Sequence, residues 1–168
     1  GSGGNFAVSV GQDGVFIVDD QFAPLTAKIK EAISKISDKP IKFVINTHWH
    51  SDHTGGNENL GELGAIIISH DNVRKRLSSD QVIEFFNTTV PALSEKGLPI
   101  VTFSDNITLY QNGDDVKIVH VDNGHTDGDS IVYFTKNNVI HVGDDFSDKS
   151  YPFIDISSGG SVDGLISA

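Results

Sequence analysis

The sequence predicts a mixed α/β domain, and three observations carry that reading. A stretch with helical periodicity leads into an apolar run that reads as a strand buried on both faces, the pattern of a helix feeding a parallel strand. Beyond Pro99 the texture changes to short strands at close spacing. A chain of 168 residues with 38% apolar side chains can bury a real core, and it is long enough for one domain. A single domain over residues 1–168 is therefore expected, with the Gly-Ser-Gly-Gly start at residues 1–4 a tag scar or a trimmed terminus.

Taken in order, residues 6–10 and 15–18 read as two strands joined by Gly11-Gln12-Asp13-Gly14, which carries hairpin chemistry. Over residues 22–37 the apolar positions Phe22, Leu25, Ile29, Ile33 and Ile36 fall three and four apart, a helical spacing. Asp38-Lys39-Pro40 stops that helix. Residues 41–45 and 65–69 read as parallel strands, residues 70–77 and 81–86 as short helices, and residues 91–98 as a loop or helical turn. Strands are expected at 101–103, 107–111, 116–121, 131–135 and 139–142, with turns at Asn112-Gly113 and Lys136-Asn137-Asn138. Gly159-Gly160-Ser161 precedes a further helix start.

Composition excludes several functions. Twelve basic and 23 acidic residues give a net charge of −11, which argues against nucleic acid and against an anionic membrane surface as partner. The longest aliphatic stretch is residues 65–68, far short of the ~20 residues that span a bilayer. Without cysteine there are no disulfides, Cys–zinc sites, iron–sulfur clusters or thiol nucleophiles.

The chemistry lies in the histidines. Of seven, three fall in the run His48-Trp49-His50-Ser51-Asp52-His53, just past the C-terminal end of a buried strand, where α/β sheets place their ligand loops. His48 and His50 are two apart, so an extended backbone sends both rings the same way; a turn from Asp52 brings His53 in from another direction. His125-Thr126-Asp127-Gly128-Asp129 and Gly143-Asp144-Asp145 occupy two more strand-exit loops. Three such loops can converge on one point. Imidazole and carboxylate without thiolate suit zinc, with iron or manganese as alternatives. His70, His120 and His141 read as structural, Asp127 and Asp129 as turn residues, and Asp145 as the competitor of Asp144 in register. Trp49 either walls the pocket or packs on the sheet. Tyr151-Pro152-Phe153 and Gly159-Gly160-Ser161 either line a cleft or form plain loops.

These residues resemble the metallo-β-lactamase fold superfamily. Its His-x-His-x-Asp-His hallmark is matched by His48, His50, Asp52 and His53, its Gly-His-Ser/Thr loop by Gly124-His125-Thr126, and its Asp after a strand by Gly143-Asp144. The resemblance covers nearly all of the chain. It implies a four-layer α+β arrangement, an αββα sandwich. It also implies one or two zinc ions, with His48, His50 and His125 around the first, Asp52 and His53 around the second, and Asp144 bridging. The implied activity is hydrolysis of an ester, thioester, lactam or related small-molecule substrate by a metal-bound hydroxide that Asp52 orients. Asp rather than Cys at 144 resembles the broad hydrolase branch, so β-lactams are the weaker expectation.

Two alternatives stay open: a mononuclear iron dioxygenase on the same fold, and a non-catalytic metal-binding fragment. Flavodiiron relatives carry Glu where this chain has His50. The family normally provides a last His after a further helix and strand, and no His follows Asp144 here. The resemblance therefore implies a domain incomplete at both ends and truncated before that ligand. Unfinished sheet edges then suggest a homo-oligomer, and the likeness to exported members leans toward a periplasmic or secreted location.

Overall fold

Two hairpin-forming strands open the fold. β1 (Ala7–Gly11) and β2 (Gly14–Val18) pair antiparallel, with Gly11 opposite Gly14 across the turn. The computed structural model describes residues 3–148 and 150–168, so the first two residues of the expected tag scar lie outside the described residues. Every residue of β2 is buried, as expected of a strand covered on both faces.

α1 (Thr26–Ser34) is shorter than its periodicity promised, because Pro24 starts a 3-10 turn at Ala23–Leu25 that precedes it. Ile29 and Ile33 face the sheet, whereas Ile36 falls past the helix end and is exposed. β3 (Ile41–Ile45) runs parallel to β2. The loop beyond it winds into α2 (Ser51–Thr54) and α3 (Asn57–Glu62) before β4 (Ile66–His70), again parallel. α4 (Asp71–Leu77) follows, with His70 as N-cap accepting from the Asn72 amide.

Residues 81–86 depart from expectation. They form β5 (Gln81–Ile83) and a 3-10 turn at Glu84–Phe86, and β5 pairs with β6 (Thr88–Val90). Only Ile83 of this segment is buried, so no helical stripe exists to pack; Asn87, in the left-handed region at φ 48°, closes a hairpin instead. β7 (Val101–Phe103) then adds in parallel to β4, completing a sheet of order β1-β2-β3-β4-β7.

β8 (Asn106–Gln111), β9 (Asp114–His120), β10 (Ser130–Phe134) and β11 (Val139–His141) make a second, antiparallel sheet of order β11-β10-β9-β8. α5 (Val162–Ser167) follows, capped by the Ser161 hydroxyl.

The two sheets pack face to face. Phe16, Val18, Ile45, Ile68 and Phe103 of the first meet Val116, Ile118, Val132 and Phe134 of the second, with the Phe16 and Phe134 rings stacked at 5.8 Å. On the other face of the first sheet, Val15, Ile17, Val44 and Ile67 pack against Ile29 and Ile33 of α1 and Leu60 of α3. β9 alternates strictly, leaving Asp115, Lys117 and Val119 exposed. β2 and β3 are parallel, and β9 and β11 share one direction across β10. The exit loops within each sheet therefore leave from the same end.

Candidate metal centre

Asp19 ends β2 in the left-handed region, at φ 62°, a conformation Asp and Asn tolerate better than most residues. This turns its buried carboxylate toward the loop that leaves β3. Oδ1 accepts the Thr47 amide at 2.8 Å and Oδ2 accepts the Thr47 hydroxyl at 2.9 Å. Oδ2 also lies 2.7 Å from Nδ1 of His53. The hydroxyl of Thr47 has given its proton to Asp19, so it can only accept from Nδ1 of His48, 3.1 Å away. His48 thus carries its proton on Nδ1.

The same logic fixes two more rings. Nε2 of His50 lies 2.9 Å from Asp155 Oδ2 and donates to it. Nδ1 of His125 donates to the Phe153 carbonyl at 2.6 Å. The nitrogens left facing one another are Nε2 of His48, Nδ1 of His50 and Nε2 of His125. His50 Nδ1 stands 3.2 Å from the first and 3.0 Å from the third. Burial, with the neighbouring His53, His125 and His50 rings, pushes His48 well below its ordinary pKa. Burial and His50 lower His125 as well. Three imidazole nitrogens therefore converge on one point, and His48 and His125, disfavoured as cations, offer lone pairs there that a metal ion can take.

A second group adjoins the first: His48, His53 and Asp144 bring their ligand atoms within 4.8 Å of one another. Nε2 of His53 is 3.2 Å from Asp144 Oδ1 and 3.5 Å from Asp52 Oδ2, yet it is buried without an aligned hydrogen bond. Burial works against charge on His53, but Asp19, Asp144 and Asp52 outweigh it and push its pKa up to about 12. Asp144 Oδ2 reaches toward Nε2 of His125, at 3.9 Å. The carboxylate of Asp144 therefore spans the two groups.

All six residues named from the sequence, His48, His50, Asp52, His53, His125 and Asp144, are brought together. The chemistry of this donor set, with its buried lone pairs, fits a divalent cation. Asp145 points elsewhere: its Oδ1 accepts the His125 amide at 3.0 Å. Gly143, at φ 55°, lets the chain pass Thr47, whose Oγ1 would lie 2.8 Å from any Cβ there. Gly124 is equally confined, by the Asp145 and Asp129 carboxylates. Asp129 is more than a turn residue: buried, it accepts from the Thr126 amide and hydroxyl. Asp127 holds Arg76 in a two-pronged ion pair. Trp49 is fully buried in a cluster with Val73, Leu77 and Ile83, which decides for packing.

Sequence reasoning passed over Asp19, Thr47 and Asp155, the groups that fix the ring protons. The signal available was the Asp pair ending a buried strand that neighbours the His-bearing one. A cavity of about 640 Å³ opens beside Asp52 and Asp144, walled in part by Gly4, Tyr151, Pro152 and Phe153. Gly159, Gly160 and Ser161 pack beneath His125 and Asn123 instead.

Residues 4–163 match the family model of the metallo-beta-lactamase superfamily. The chain belongs to that superfamily. Among curated proteins it is 27% identical over 121 residues to a hydroxyacylglutathione hydrolase of Pelagibacter ubique, covering 70% of this chain and 42% of the relative. It thus spans less than half the length of that curated relative. Among solved structures, a metallo-beta-lactamase from Pontibacter korlensis superposes with a TM-score of 0.72 at 20% identity, over 94% of this chain and 67% of its own. A subclass B3 metallo-beta-lactamase of Bradyrhizobium japonicum gives 0.73 at 19% identity, over 96% and 64%. These superpositions establish the superfamily fold expected from the sequence.

Proposed function

We propose that this chain carries the hydrolytic site of a zinc-dependent metallo-beta-lactamase superfamily enzyme, acting on an ester, thioester, lactam or related small-molecule substrate. The observation that carries it is the meeting of three imidazole nitrogens at 3.0 and 3.2 Å, each ring held by a partner on its other nitrogen. His48, His50 and His125 would hold one ion, Asp52 and His53 a second, and Asp144 would reach both.

Bound at these residues, a divalent cation would supply Lewis-acid chemistry: a water acidified toward a pKa of ~7 and a polarised carbonyl. The chain's own residues do the rest. Asp155 and Asp19 bond the outward-facing nitrogens of His50 and His53 and so orient both rings. Burial disfavours charge on Asp52 and Asp144, but His53 outweighs it and holds both below the ordinary carboxylate range. Both are therefore ionised at neutral pH. Asp52, on the cavity wall, accepts a proton from the attacking group and so orients it.

The test is zinc content by elemental analysis, followed by turnover of ester, thioester, lactam and phosphodiester panels by the zinc-replete chain. Bound zinc with turnover that chelation abolishes and zinc restores is the expected result. A replete chain inert on every panel overturns the hydrolase reading. Tight binding of a single iron with oxygen consumption replaces it by the dioxygenase.

A further inference from the structure

Three phenylalanine rings meet beside the metal centre. Phe85 and Phe86, on the tip of the β5–β6 hairpin, have ring centroids 5.0 Å apart and lie 5.4 and 5.2 Å from that of Phe153. Phe153 lines the cavity, and its ring stands 5.8 Å from that of His125. The cluster is thus continuous with the site. Its outer members are 77% and 58% exposed. Scattered apolar side chains on a surface need no account, but clustered aromatics edging a concave polar site do.

The hairpin tip is tied to the metal-facing rings. The Glu84 amide donates to the Ser157 hydroxyl at 3.3 Å, and that hydroxyl donates to Asp155. Asp155 is the carboxylate behind His50. The aromatic tip is therefore held at a fixed place relative to the centre.

We propose that Phe85, Phe86 and Phe153 receive an apolar, aromatic end of the substrate. This rests on the metal-centre reading above. The apolar tail lies against the three rings while the reacting group faces the histidines. Burying it removes both surfaces from water.

Two hydroxamates test this, with binding to the zinc-loaded chain measured by calorimetry. Acetohydroxamate and 4-phenylbutyrohydroxamate present the same zinc-binding group on different tails. The phenylbutyryl compound should bind at least about tenfold tighter than the acetyl one. The double substitution F85A/F86A, at exposed positions, should remove that gain while leaving acetohydroxamate within about twofold and the circular dichroism unchanged. Equal affinities for the phenylbutyryl and acetyl compounds, or a gain that survives F85A/F86A, overturn the proposal alone. Failure of acetohydroxamate to bind overturns the metal-centre reading, and the proposal with it. A dimer that F85A/F86A converts to monomer in sedimentation assigns the rings to a contact between two copies, and likewise overturns it.

Discussion

Oδ2 of Asp19 stands 2.7 Å from Nδ1 of His53 and also takes the hydroxyl proton of Thr47, which in turn accepts from Nδ1 of His48. One buried carboxylate on β2 therefore sets the orientation and tautomer of two rings on the loop after β3. Asp19→Asn suits the φ of 62° but supplies an amide in place of the carboxylate. Zinc affinity, measured by competition with a chromophoric chelator, should fall about ten- to a hundredfold with the fold intact.

Asp155 plays the corresponding part for His50, and the Ser157 and Ser158 hydroxyls both bond to its carboxylate at 2.5 Å. Burial opposes its charge, but His50 and those two serines hold its pKa far below the ordinary carboxylate value. Asp155→Ala should lower zinc affinity by a similar ten- to hundredfold. It should also loosen the turn at residues 155–160, seen as faster exchange of the Ser158 amide, which now donates to the Asp155 carboxylate.

Cation binding should stabilise the folded chain, because the ring nitrogens that meet at 3.0 and 3.2 Å are in place only when it is folded. At a thousandfold excess over Kd the gain is ~4 kcal/mol, or a rise in Tm on the order of 10 °C for a domain of this size. Chelation should reverse the shift. His48→Ala should show none of it.

Asp129 gives a pH dependence of definite sign. Burial and the Asp145 carboxylate raise its pKa, so it keeps its proton well above the ordinary range. The unfolded Asp releases its proton near ~3.9. The folded chain thus binds the extra proton from there up to the raised value, and stability falls as pH rises across that window. Asp129→Asn removes the titration. Its Tm should fall less steeply from acid to alkaline pH than that of the unchanged chain.

The inter-sheet core offers a mechanical check. Phe16, 1% exposed and stacked on Phe134, joins the two sheets that carry the two halves of the site. Phe16→Ala should cost about 3–5 kcal/mol in urea unfolding. It should also weaken zinc binding, although it touches no histidine.

The part of the site legible in the sequence is the part whose residue type is itself the signal. Three histidines in six residues after a buried strand announce a ligand loop, and two later strand exits supply His125 and Asp144. Asp19 and Asp155 stayed hidden because a lone Asp at a strand end or in a turn is ordinary; their role exists only once β2 lies beside β3 and the turn at 155–160 folds under His50. α1 followed from periodicity and the strands of the two large sheets from apolar runs, whereas residues 81–86, with one buried side chain, have no period to read, and the β5–β6 hairpin was not expected. α2 and α3 were missed for a related reason. They are four and six residues long and owe their form to anchors such as Asn46, which bonds both the His53 carbonyl and Asn57, not to a stripe of their own.

Gly4 walls the cavity so closely that a Cβ on it would lie 2.9 Å from Cε1 of His53. Anything fused ahead of that glycine therefore emerges within a few residues of the reacting groups. An affinity handle on that end could shield the centre, or itself bind zinc if made of histidines, and so corrupt the assays meant to judge it. Purification handles and reporter fusions belong at the opposite terminus.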